Sequence, residues 1–540
     1  MLLLLACTGP SKDTPDDTAV HMDDTATDTH ESAPTDDTAD SDCTPSTWYV
    51  DADGDSYGDP ASATESCGDS GLVADASDCD DTDPAVFPGA ADTCGDGVDG
   101  DCDGADRACA REIPLADSVK VSSDVANIEA GHLVDVGDVN ADGQVDVLLS
   151  TLKADKLAGG AWLLPGPVTA SGTLGDLGFR LSGITAGDGA GRSIGLGDVD
   201  GDGADDIAVG VPFSLECRED IVFGPVTEDR SLADADVVLT APDGSFCGHG
   251  SDVQDIDGDG VADALVGAYA SDESGFEAGA FYVAYGPLTG DRDLGTDADA
   301  HLVGEFASAW TGRVVRGARD LNGDGLGDVL ISAIGVSLNG SSSGAVYVMY
   351  GPLYGELALA DGADGRLVGE GAYHYAGAAI GSGDIDGDGL TDVLVGAQSS
   401  DGGIGAGAAY VVLGPADGDR ALADSAIAIR GQVDFLSLGS GVGAGDVDGD
   451  GDDDLVVGAP GDATVGEYAG GAYVFADGLT GALTPEDATA HLYGQAAGDQ
   501  AGWGVGIADL DGDGAAEVLV GAPEEETGGA QAGALYVTDW

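Results

Sequence analysis

The chain has 540 residues, of which 101 are acidic and 17 basic, so its formal net charge at pH 7 is −84. This charge excludes nucleic acid as a partner and direct docking on anionic lipid, because both need clustered Lys and Arg. With 43% hydrophobic residues and 92 glycines, the composition indicates a folded all-β protein with many tight turns, whose surplus carboxylates bind cations.

The first seven residues predict an export signal. Met1–Ala6 is apolar, and Leu4-Leu5-Ala6-Cys7 resembles a bacterial lipobox, in which the cysteine is acylated and becomes the first residue of the mature protein. We therefore expect lipidation at Cys7 and attachment to a membrane only through that lipid. No apolar run in the sequence approaches the roughly 20 residues that a membrane-spanning helix needs.

Residues 8–42 consist mainly of Thr, Asp, Ser, Ala and Pro, with hardly any large apolar side chain. Such a segment buries too little surface to offset the entropy of ordering it. We interpret it as a flexible, self-repelling stalk.

A cysteine-rich module is predicted for residues 43–110. Without Cys7, eight of the nine cysteines remain, an even number as disulfide pairing requires. Six of them lie in this module: Cys43, Cys67, Cys79, Cys94, Cys102 and Cys109. A zinc site is the alternative, but the module has no C-x-x-C pair and no His. The pattern favours a small disulfide-bonded unit from an oxidising compartment, with its pairing left open.

The same module carries acidic clusters. In DADGDSYGD, carboxylates stand at alternate positions of a tight turn, where they converge on one hard cation, and oxygen ligands select calcium. The run from Asp78 to Gly104 resembles the MopE-like metal-binding motif of bacterial surface proteins, except that Asp92 and Gly100 replace the usual Glu and Asn. Some members of that family are described as copper-binding, but the acidic oxygen ligands favour calcium. The expected ligands are Asp51, Asp53, Asp55, Asp59, Asp80, Asp83, Asp99, Asp101 and Asp103.

A nine-residue acidic loop then recurs seven times in residues 111–540. Its copies are DVNADGQVD from Asp138, DVDGDGADD from Asp198, DIDGDGVAD from Asp255, DLNGDGLGD from Asp320, DIDGDGLTD from Asp384, DVDGDGDDD from Asp446 and DLDGDGAAE from Asp509. The copies start 57 to 65 residues apart, and self-similarity at such a period indicates a repeat architecture.

Each loop has the chemistry of a calcium site. Positions 1, 3 and 5 supply carboxylate or amide oxygens, position 7 a backbone carbonyl and position 9 a closing carboxylate, while the invariant Gly at position 6 permits a sharp turn. The expected ligands, loop by loop, are Asp138, Asn140, Asp142, Gln144, Asp146; Asp198, Asp200, Asp202, Ala204, Asp206; Asp255, Asp257, Asp259, Val261, Asp263; Asp320, Asn322, Asp324, Leu326, Asp328; Asp384, Asp386, Asp388, Leu390, Asp392; Asp446, Asp448, Asp450, Asp452, Asp454; and Asp509, Asp511, Asp513, Ala515, Glu517.

The residues that follow each loop decide the fold. An EF-hand needs flanking helices and a Glu at position 12, and a dockerin needs a helix after the loop. Here the loops run into short apolar stretches such as IAVG and LVVG, which are typical of buried strands. A turn such as Gly458-Ala459-Pro460, an aromatic-rich strand and a fourth strand follow. Four-stranded radial units are propeller blades, so we predict a seven-bladed β-propeller over residues 111–540.

These motifs resemble the FG-GAP family, which includes the propeller of integrin α chains. The acidic loop, the V-G-A-P-like turn and the GAxYV strand match, whereas the Phe-Gly ahead of the loop is degenerate, with Ala501-Gly502-Trp503-Gly504 nearest to it. The resemblance implies loops that bind calcium and an opposite face that binds protein ligands.

The ends of the array predict how the ring closes. The chain ends in the third strand of the seventh blade, and an unassigned strand, Asp117–Ser122, precedes the first blade. We expect this N-terminal strand to complete the seventh blade, because closure removes an exposed sheet edge.

Two cysteines of the propeller are predicted to pair. Cys217 lies in the loop between the second and third strands of a blade, and Cys247 lies in the link to the next blade. Both kinds of loop emerge on the same face. A Cys217–Cys247 disulfide is therefore expected, with two free buried thiols as the alternative.

The scarce basic residues suggest a ligand face. Arg192, Arg313, Arg316 and Arg319 fall in or just before innermost strands, and His132, Arg192, His249 and Trp503 each stand six residues before a loop start. We predict a site for an anionic or polar ligand at the channel mouth away from the acidic loops, formed by His132, Arg192, His249, Arg313 and Trp503. The alternative is that these residues only balance nearby Asp charge.

Together these features predict a calcium-binding, non-enzymatic, monomeric protein of the cell surface or outer membrane, or a secreted one, that serves adhesion or protein–protein interaction. A lectin-like carbohydrate binder and a calcium-dependent surface hydrolase are the alternatives. The sequence has no HExxH motif.

Overall fold

The structure is a computed structural model that describes residues 45–68, 71–88, 90, 98–100, 102, 109–214, 217–242, 244–399, 404–476 and 478–540. The predicted export signal with Cys7, the stalk, and the candidate ligands Asp101 and Asp103 lie outside these residues. The chain divides into two compact units, with the boundary between Arg107 and Ala108. Within the described ranges, every helix is too short or too polar to cross a membrane.

The first unit is the small N-terminal module. Its strands Ser46–Trp48 and Thr64–Ser66 pair antiparallel, and a 3-10 turn spans Pro60–Ser62. A disulfide joins Cys79 to Cys102, with Cα atoms 5.5 Å apart, and Cys67 and Cys109 are also disulfide-bonded. With so few apolar side chains available, covalent cross-links replace a hydrophobic core.

The second unit is a seven-bladed β-propeller, which confirms the predicted fold class. The first to fourth strands of each blade, from the channel outward, are as follows: blade I, Ala130–Gly137, Asp146–Thr151, Gly160–Leu164 and Phe179–Ser182; blade II, Ile194–Gly197, Asp206–Val211, Arg218–Val222 and Val237–Thr240; blade III, Cys247–Gln254, Asp263–Ala268, Ala280–Ala284 and Ala300–Val303; blade IV, Thr311–Ala318, Asp328–Ala333, Ala345–Tyr350 and Gly365–Val368; blade V, Ala379–Gly383, Asp392–Ala397, Ala408–Val412 and Ile427–Arg430; blade VI, Val442–Gly445, Asp454–Gly458, Gly471–Phe475 and Ala490–Tyr493; blade VII, Val505–Ala508, Glu517–Ala522, Ala534–Thr538 and Val119–Ser122.

Ring closure is confirmed in detail. Val119–Ser122 pairs antiparallel with Ala534–Thr538, placing Val121 opposite Leu535. The predicted strand began at Asp117, but that residue ends a 3-10 turn, Leu115–Asp117. An N-terminal strand and the last strand of the propeller therefore lie in one sheet, and neither edge of that pair is left open.

Each blade also has a fifth strand, which the sequence did not predict. The fifth strand comes from the segment that precedes the next blade's fourth strand, and it pairs in parallel with the fourth strand of its own blade. The fifth strands of blades I to VII are Arg230–Ser231, Arg292–Asp293, Gly355–Ala358, Gly418–Ala421, Gly481–Leu483, Arg111–Pro114 and Gly172–Thr173. They cover the outer edges of the blades and link each blade to its neighbour.

The hydrophobic core lies between neighbouring blades. The second strands are buried along their whole length, because a blade packs against another blade on both faces. Short turns at the outer rim each bury one leucine, such as Leu232 or Leu294. These turns are the four-residue segments Leu174–Leu177, Leu294–Asp297 and Leu359–Gly362 and the 3-10 turns Leu115–Asp117, Leu232–Asp234 and Leu422–Asp424. The 3-10 turn Pro485–Asp487 buries no residue. The segment Ala154–Leu157, in the loop after the second strand of blade I, buries Ala154 and leaves Leu157 exposed.

Tyrosines of the third strands stack on basic side chains of the fourth strands. In blade VI the Tyr473 ring stacks on His491 with 4.5 Å between centroids, and its hydroxyl donates to Asp462 at 2.9 Å. His491 lies 3.3 Å from Asp462 and 3.0 Å from Glu112. Burial opposes the charged form of His491, but these two carboxylates outweigh it and raise its pKa.

Candidate metal sites and ligand face

The seven acidic loops connect the first and second strands of the blades, so all of them emerge on one face of the ring. In each loop the N–H of the position-6 glycine donates to a carboxylate oxygen of position 1, at 2.7 to 3.1 Å. Those glycines have φ between 82° and 104°, a region that other residues rarely adopt. The sequence thus encodes the turn that gathers the acidic side chains.

The blade II loop shows the arrangement. Asp198 also accepts the N–H groups of Gly201 at 2.7 Å and Asp202 at 3.1 Å, and Asp200 accepts the N–H of Asp202 at 2.9 Å. These bonds hold the carboxylates of positions 1 and 3 toward the loop interior. Oxygens of Asp198, Asp200 and Asp206 lie within 4.8 Å of one another.

Carboxylate oxygens also lie within 4.8 Å of one another in other acidic loops. These groups include Asp255, Asp257 and Asp259 in blade III, and Asp384, Asp386 and Asp392 in blade V. The Oδ1 atom of Asp384 is buried without a hydrogen-bond partner among the described residues. A buried, unpaired carboxylate oxygen within an all-oxygen donor set fits a hard cation.

The position-9 carboxylate has a second role, which the sequence did not reveal. Asp206 accepts the N–H of Val199 at 2.9 Å with one oxygen and the N–H of Gly224 at 2.8 Å with the other. Gly224 opens the Gly-Pro turn after the third strand. The same pair of bonds recurs at Asp146, Asp263, Asp328 and Asp392. Position 9 therefore anchors two loops of its blade as well as facing the cation site.

Burial and mutual repulsion act on this closing carboxylate. Burial raises the pKa of Asp206 to about 7, and Asp200 and Asp198 add to the rise, although the backbone N–H groups of Gly224 and Val199 oppose it. The pKa of Asp263 and of Asp328 is also raised to about 7 for the same reasons. The loops thus hold more negative charge than their surroundings stabilise, and a cation would relieve that repulsion.

Neighbouring loops are hydrogen-bonded to each other. The N–H of Asp205 in blade II donates to the carbonyl oxygen of Asp138 in blade I at 3.0 Å. Equivalent bonds join blades II and III, IV and V, V and VI, and VI and VII, at 2.7 to 3.0 Å. Ordering of one loop therefore constrains the next.

In the N-terminal module, the carboxylates assemble differently from the prediction. Asp51 and Asp53 meet Asp81, and Asp53 and Asp55 meet Asp78, so Asp53 belongs to both groups. Asp78 and Asp81 were not among the expected ligands, although their Asp-Cys-Asp-Asp run was a visible signal. Asp78 is 3% exposed, and one of its oxygens has no hydrogen-bond partner in the described part of the chain.

Other expected ligands of the module make local contacts. Asp59 caps the 3-10 turn by accepting the N–H of Ala61 at 2.7 Å. Asp80 accepts the Thr82 hydroxyl at 2.6 Å, Asp83 accepts the N–H of Ala85 at 3.2 Å, and the carbonyl of Asp99 lies 3.3 Å from the Cys79 sulfur. Asp59, Asp80 and Asp83 thus make local contacts in turns of the module, and their role as metal ligands stays a prediction.

The opposite face of the ring has a cavity of about 620 Å³ at the channel mouth. All five residues of the predicted ligand face line it: His132, Arg192, His249, Arg313 and Trp503. Trp310, Arg316 and Tyr375 line it as well. Trp310 and Tyr375 were not predicted, although both precede a first strand. Arg319 lies elsewhere, because the first strand of blade IV ends at Ala318 and Arg319 is exposed beside the acidic loop.

Ring stacking and positive charge define this mouth. His132 stacks on Trp503 at 5.1 Å, and His249 Nδ1 lies 3.3 Å from the carbonyl of Arg313. Burial lowers the pKa of His132 to about 4 and that of His249 to about 3, and the charge of Arg192 contributes to both shifts. Both imidazoles are therefore neutral at pH 7.

The structure also brings the two propeller cysteines together. Cys217 and Cys247 are joined, with Cα atoms 5.4 Å apart. Cys247 begins the first strand of blade III, which also carries His249. The bond thus ties a loop of blade II to a strand that lines the mouth.

Comparison with known proteins agrees with these features. The model of the Cu-binding MopE metal-binding motif matches residues 78–106, and the FG-GAP repeat model matches residues 190–219, 376–412, 438–475 and 501–538. Integrin alpha pat-2 of Caenorhabditis elegans is 31% identical over 232 residues, and integrin alpha-PS2 of Drosophila melanogaster is 32% identical over 227 residues.

These alignments cover part of each protein. Each integrin match spans 39% of this chain, and 18% and 15% of the respective relative. Phosphatidylinositol-glycan-specific phospholipase D of Rattus norvegicus is 37% identical over 160 residues, which are 28% of this chain and 18% of that protein. The chain therefore spans less than a fifth of the length of these relatives. It carries FG-GAP repeats in a seven-bladed propeller that is similar in sequence to integrin α chains, and a metal-binding motif of the MopE type precedes them.

Proposed function

We propose that this protein is a calcium-binding, non-enzymatic adhesion or protein-interaction module of the cell surface. One observation carries the proposal: the two faces of the propeller differ in chemistry. The acidic loops lie on one face, and an apolar surface with a cationic centre lies on the other. The first face binds cations that stabilise the ring, and the second binds the partner.

Calcium is the cation that best suits the loops. Their donors are carboxylate, amide and carbonyl oxygens without a nitrogen or sulfur ligand, and flexible oxygen sites of this kind favour calcium over softer metals. The carboxylate groups around Asp53 in the N-terminal module have the same character, which favours calcium there over copper. The expected ligands at positions 1, 3, 5, 7 and 9 of each loop stay a prediction.

Most of the exposed large apolar side chains of the propeller lie on the face that has the mouth cavity. Thirteen of the fifteen exposed large apolar residues in the described part of the propeller lie in the loops on the mouth side: Val125, Leu157, Ile184, Phe213, Phe246, Phe276, Leu338, Tyr373, Ile404, Val433, Phe435, Val465 and Tyr468. Exposed apolar surface around a polar centre is typical of protein interfaces. This surface favours a protein partner.

The location is proposed from the sequence and the disulfides. The lipobox-like Cys7 would anchor an exported protein through its lipid, with residues 8–42 as a spacer. The Cys79–Cys102 bond suits an oxidising compartment outside the cytoplasm. The outermost strand of each blade has only two to four residues, which leaves little sheet edge for self-association, so we propose a monomer.

A glycan is the second candidate ligand. Trp310, Tyr375 and Trp503 line the mouth, and aromatic rings can stack on sugar rings. The aliphatic residues around the mouth, such as Ile404 and Val433, are less useful to a sugar than to a protein. A calcium-dependent hydrolase is a further alternative, and a broad activity screen of the purified protein would test for it.

The test is binding of the purified chain to intact cells of its source organism, in calcium and in chelator. We expect calcium-dependent binding that Trp503→Ala weakens without changing the calcium-dependent melting curve. Tyr354→Ala is the matched control, because Tyr354 is exposed but lies on the acidic-loop side. Binding that is equal for wild type and Trp503→Ala would exclude the mouth as the site, and absence of binding in calcium would contradict the proposed function.

A further inference from the structure

Two arginines at the mouth are held in place by aromatic rings rather than by acids. The guanidinium of Arg192 lies 5.6 Å from the Phe213 ring, and that of Arg313 lies 5.6 Å from the Tyr269 ring. Phe246 contacts both of these rings, with centroids 5.7 Å away in each case. The three rings form a continuous support between the two guanidinium groups. Cation–π contacts orient an arginine without neutralising its charge.

Among the residues that the structure describes, neither Arg192 nor Arg313 forms an ion pair. This is uncommon in a chain with 101 acidic residues. The neighbouring Arg316 is paired, since its guanidinium lies 3.7 Å from Asp252. Of the rim carboxylates, Glu277 accepts the indole N–H of Trp310 at 3.0 Å, and Glu524 accepts from Gln531 at 2.5 Å. The charges of Arg192 and Arg313 therefore remain available in the cavity.

A buried acid, Glu219, lies behind the cavity wall: it is 1% exposed and hydrogen-bonded to Ser251, which lines the cavity. The other six blades place an apolar residue at this register position: Ala161, Phe281, Val346, Ala409, Ala472 and Leu535. Blade II, which also carries Arg192, is thus the one blade with a carboxyl group at this position.

Burial keeps this carboxyl mainly neutral at pH 7. Ser251 Oγ donates to Glu219 at 2.8 Å and lies 2.5 Å from Ser193 Oγ, which donates to the carbonyl of Gly248 at 2.9 Å. Burial raises the pKa of Glu219 to about 8, although the hydrogen bond from Ser251 opposes the rise. Glu219 therefore leaves the arginine charges uncompensated at pH 7.

We propose that the mouth cavity binds a carboxylate side chain of the partner protein, through the guanidinium groups of Arg192 and Arg313. The inference rests on the proposed function and specifies its ligand chemistry. Planar guanidinium groups match the two oxygens of a carboxylate. The large negative charge of the whole chain repels strongly acidic partners, so the carboxylate comes from a neutral or basic surface whose apolar residues contact the rim.

The probes for this site are two capped peptides, acetyl-Phe-Glu-Phe-amide and acetyl-Phe-Gln-Phe-amide, which differ in one charge. They are titrated into the full chain in saturating calcium and followed by saturation-transfer NMR. We expect the glutamate peptide to bind at least tenfold more tightly, which corresponds to about 1.4 kcal/mol. A sulfated heparin disaccharide, tested in parallel, represents the glycan alternative.

The variants Arg192→Gln and Arg313→Gln should each remove most of this discrimination. Arg111→Gln is the matched control, because Arg111 is an exposed arginine on the outer edge of blade VI. An unchanged calcium-dependent melting curve shows that the variants fold, and Arg192→Lys should retain part of the binding.

The proposal would be overturned by equal binding of the two peptides, by no binding of either, or by discrimination that survives both glutamine variants. Binding of the disaccharide without the peptide would also overturn it, in favour of an acidic glycan. The cell-binding assay separates this failure from failure of the proposed function. If Arg192→Gln binds cells in calcium as strongly as the wild type does, the adhesion role is retained and the carboxylate site is rejected.

Discussion

Removal of calcium is the perturbation that most directly tests the structure. In the blade II loop, oxygens of three aspartates lie within 4.8 Å of one another. Two unit charges at that distance repel by about 0.9 kcal/mol in water and by about 3.5 kcal/mol at an effective dielectric constant of 20. With three such pairs, the repulsion in one fully ionised loop is about 3 to 10 kcal/mol. Partial protonation, shown by the raised pKa of Asp206, lowers the actual value.

Calcium binding offsets this repulsion and adds to the free energy of unfolding. At a calcium concentration 100 times the dissociation constant, each site contributes about 2.7 kcal/mol. Three occupied loops would therefore add about 8 kcal/mol. Because 1 kcal/mol shifts the melting temperature by about 2 to 4 °C in domains of 150–250 residues, and by less in larger ones, we expect chelation to lower the melting temperature by on the order of 10 °C.

The assay is differential scanning calorimetry at low ionic strength, in calcium chloride and in excess EGTA. High salt should reduce the difference, because it screens the carboxylates. Asp198→Ala should lower the calcium stoichiometry measured by titration calorimetry by one, whereas the exposed Asp234→Asn, which is outside the loops, should leave it unchanged. Superimposable transitions with and without chelator would refute the reasoning, since they would mean that backbone N–H groups alone stabilise the loop carboxylates.

Three further predictions concern single contacts. Cys217→Ser should lower the free energy of unfolding by about 2 to 4 kcal/mol, and thiol labelling of the unfolded wild type should detect neither Cys217 nor Cys247 before reduction; labelling of both would reject the bond. Because the folded pKa of His491 is raised, its stabilisation is complete below pH about 6.5 and is lost as pH rises through the folded pKa. In urea titrations at a series of pH values, His491→Gln should lack that decline, and parallel pH profiles for wild type and variant would contradict it. Val121→Ala should lower stability by about 2 kcal/mol, because it removes two buried methyl groups from the closing strand; the exposed Val125→Ala should change it by less than about 0.5 kcal/mol, and equal effects would argue against closure by this strand.

Features that depend on a few neighbouring residues were predictable from the sequence. The acidic loop and the position-6 glycine are encoded within nine residues, and the glycine's positive φ, such as 94° at Gly203, follows from the turn that it must make. Repetition of the loop predicted seven blades, and the unpaired strand before the first loop predicted how the ring closes. Each of these signals is local and periodic, so no distance between remote residues is needed to detect it.

Other features exist only because the ring brings remote segments together. Position 9 holds the Gly-Pro turn about twenty residues further on, as Asp206 does with Gly224, and each blade takes its fifth strand from the segment that leads into the next blade's fourth strand. In the N-terminal module, the fold places Asp53 beside Asp78.

The mouth shows most clearly what the tertiary structure decided. His132 and Trp503 are 371 positions apart in the sequence, yet their rings stack because the first and seventh blades are neighbours in a closed ring. The sequence determined which residues stand at the start of each innermost strand. Closure of the ring determined that these residues meet in one cavity, since only the radial packing of seven blades directs all their first strands toward a common axis.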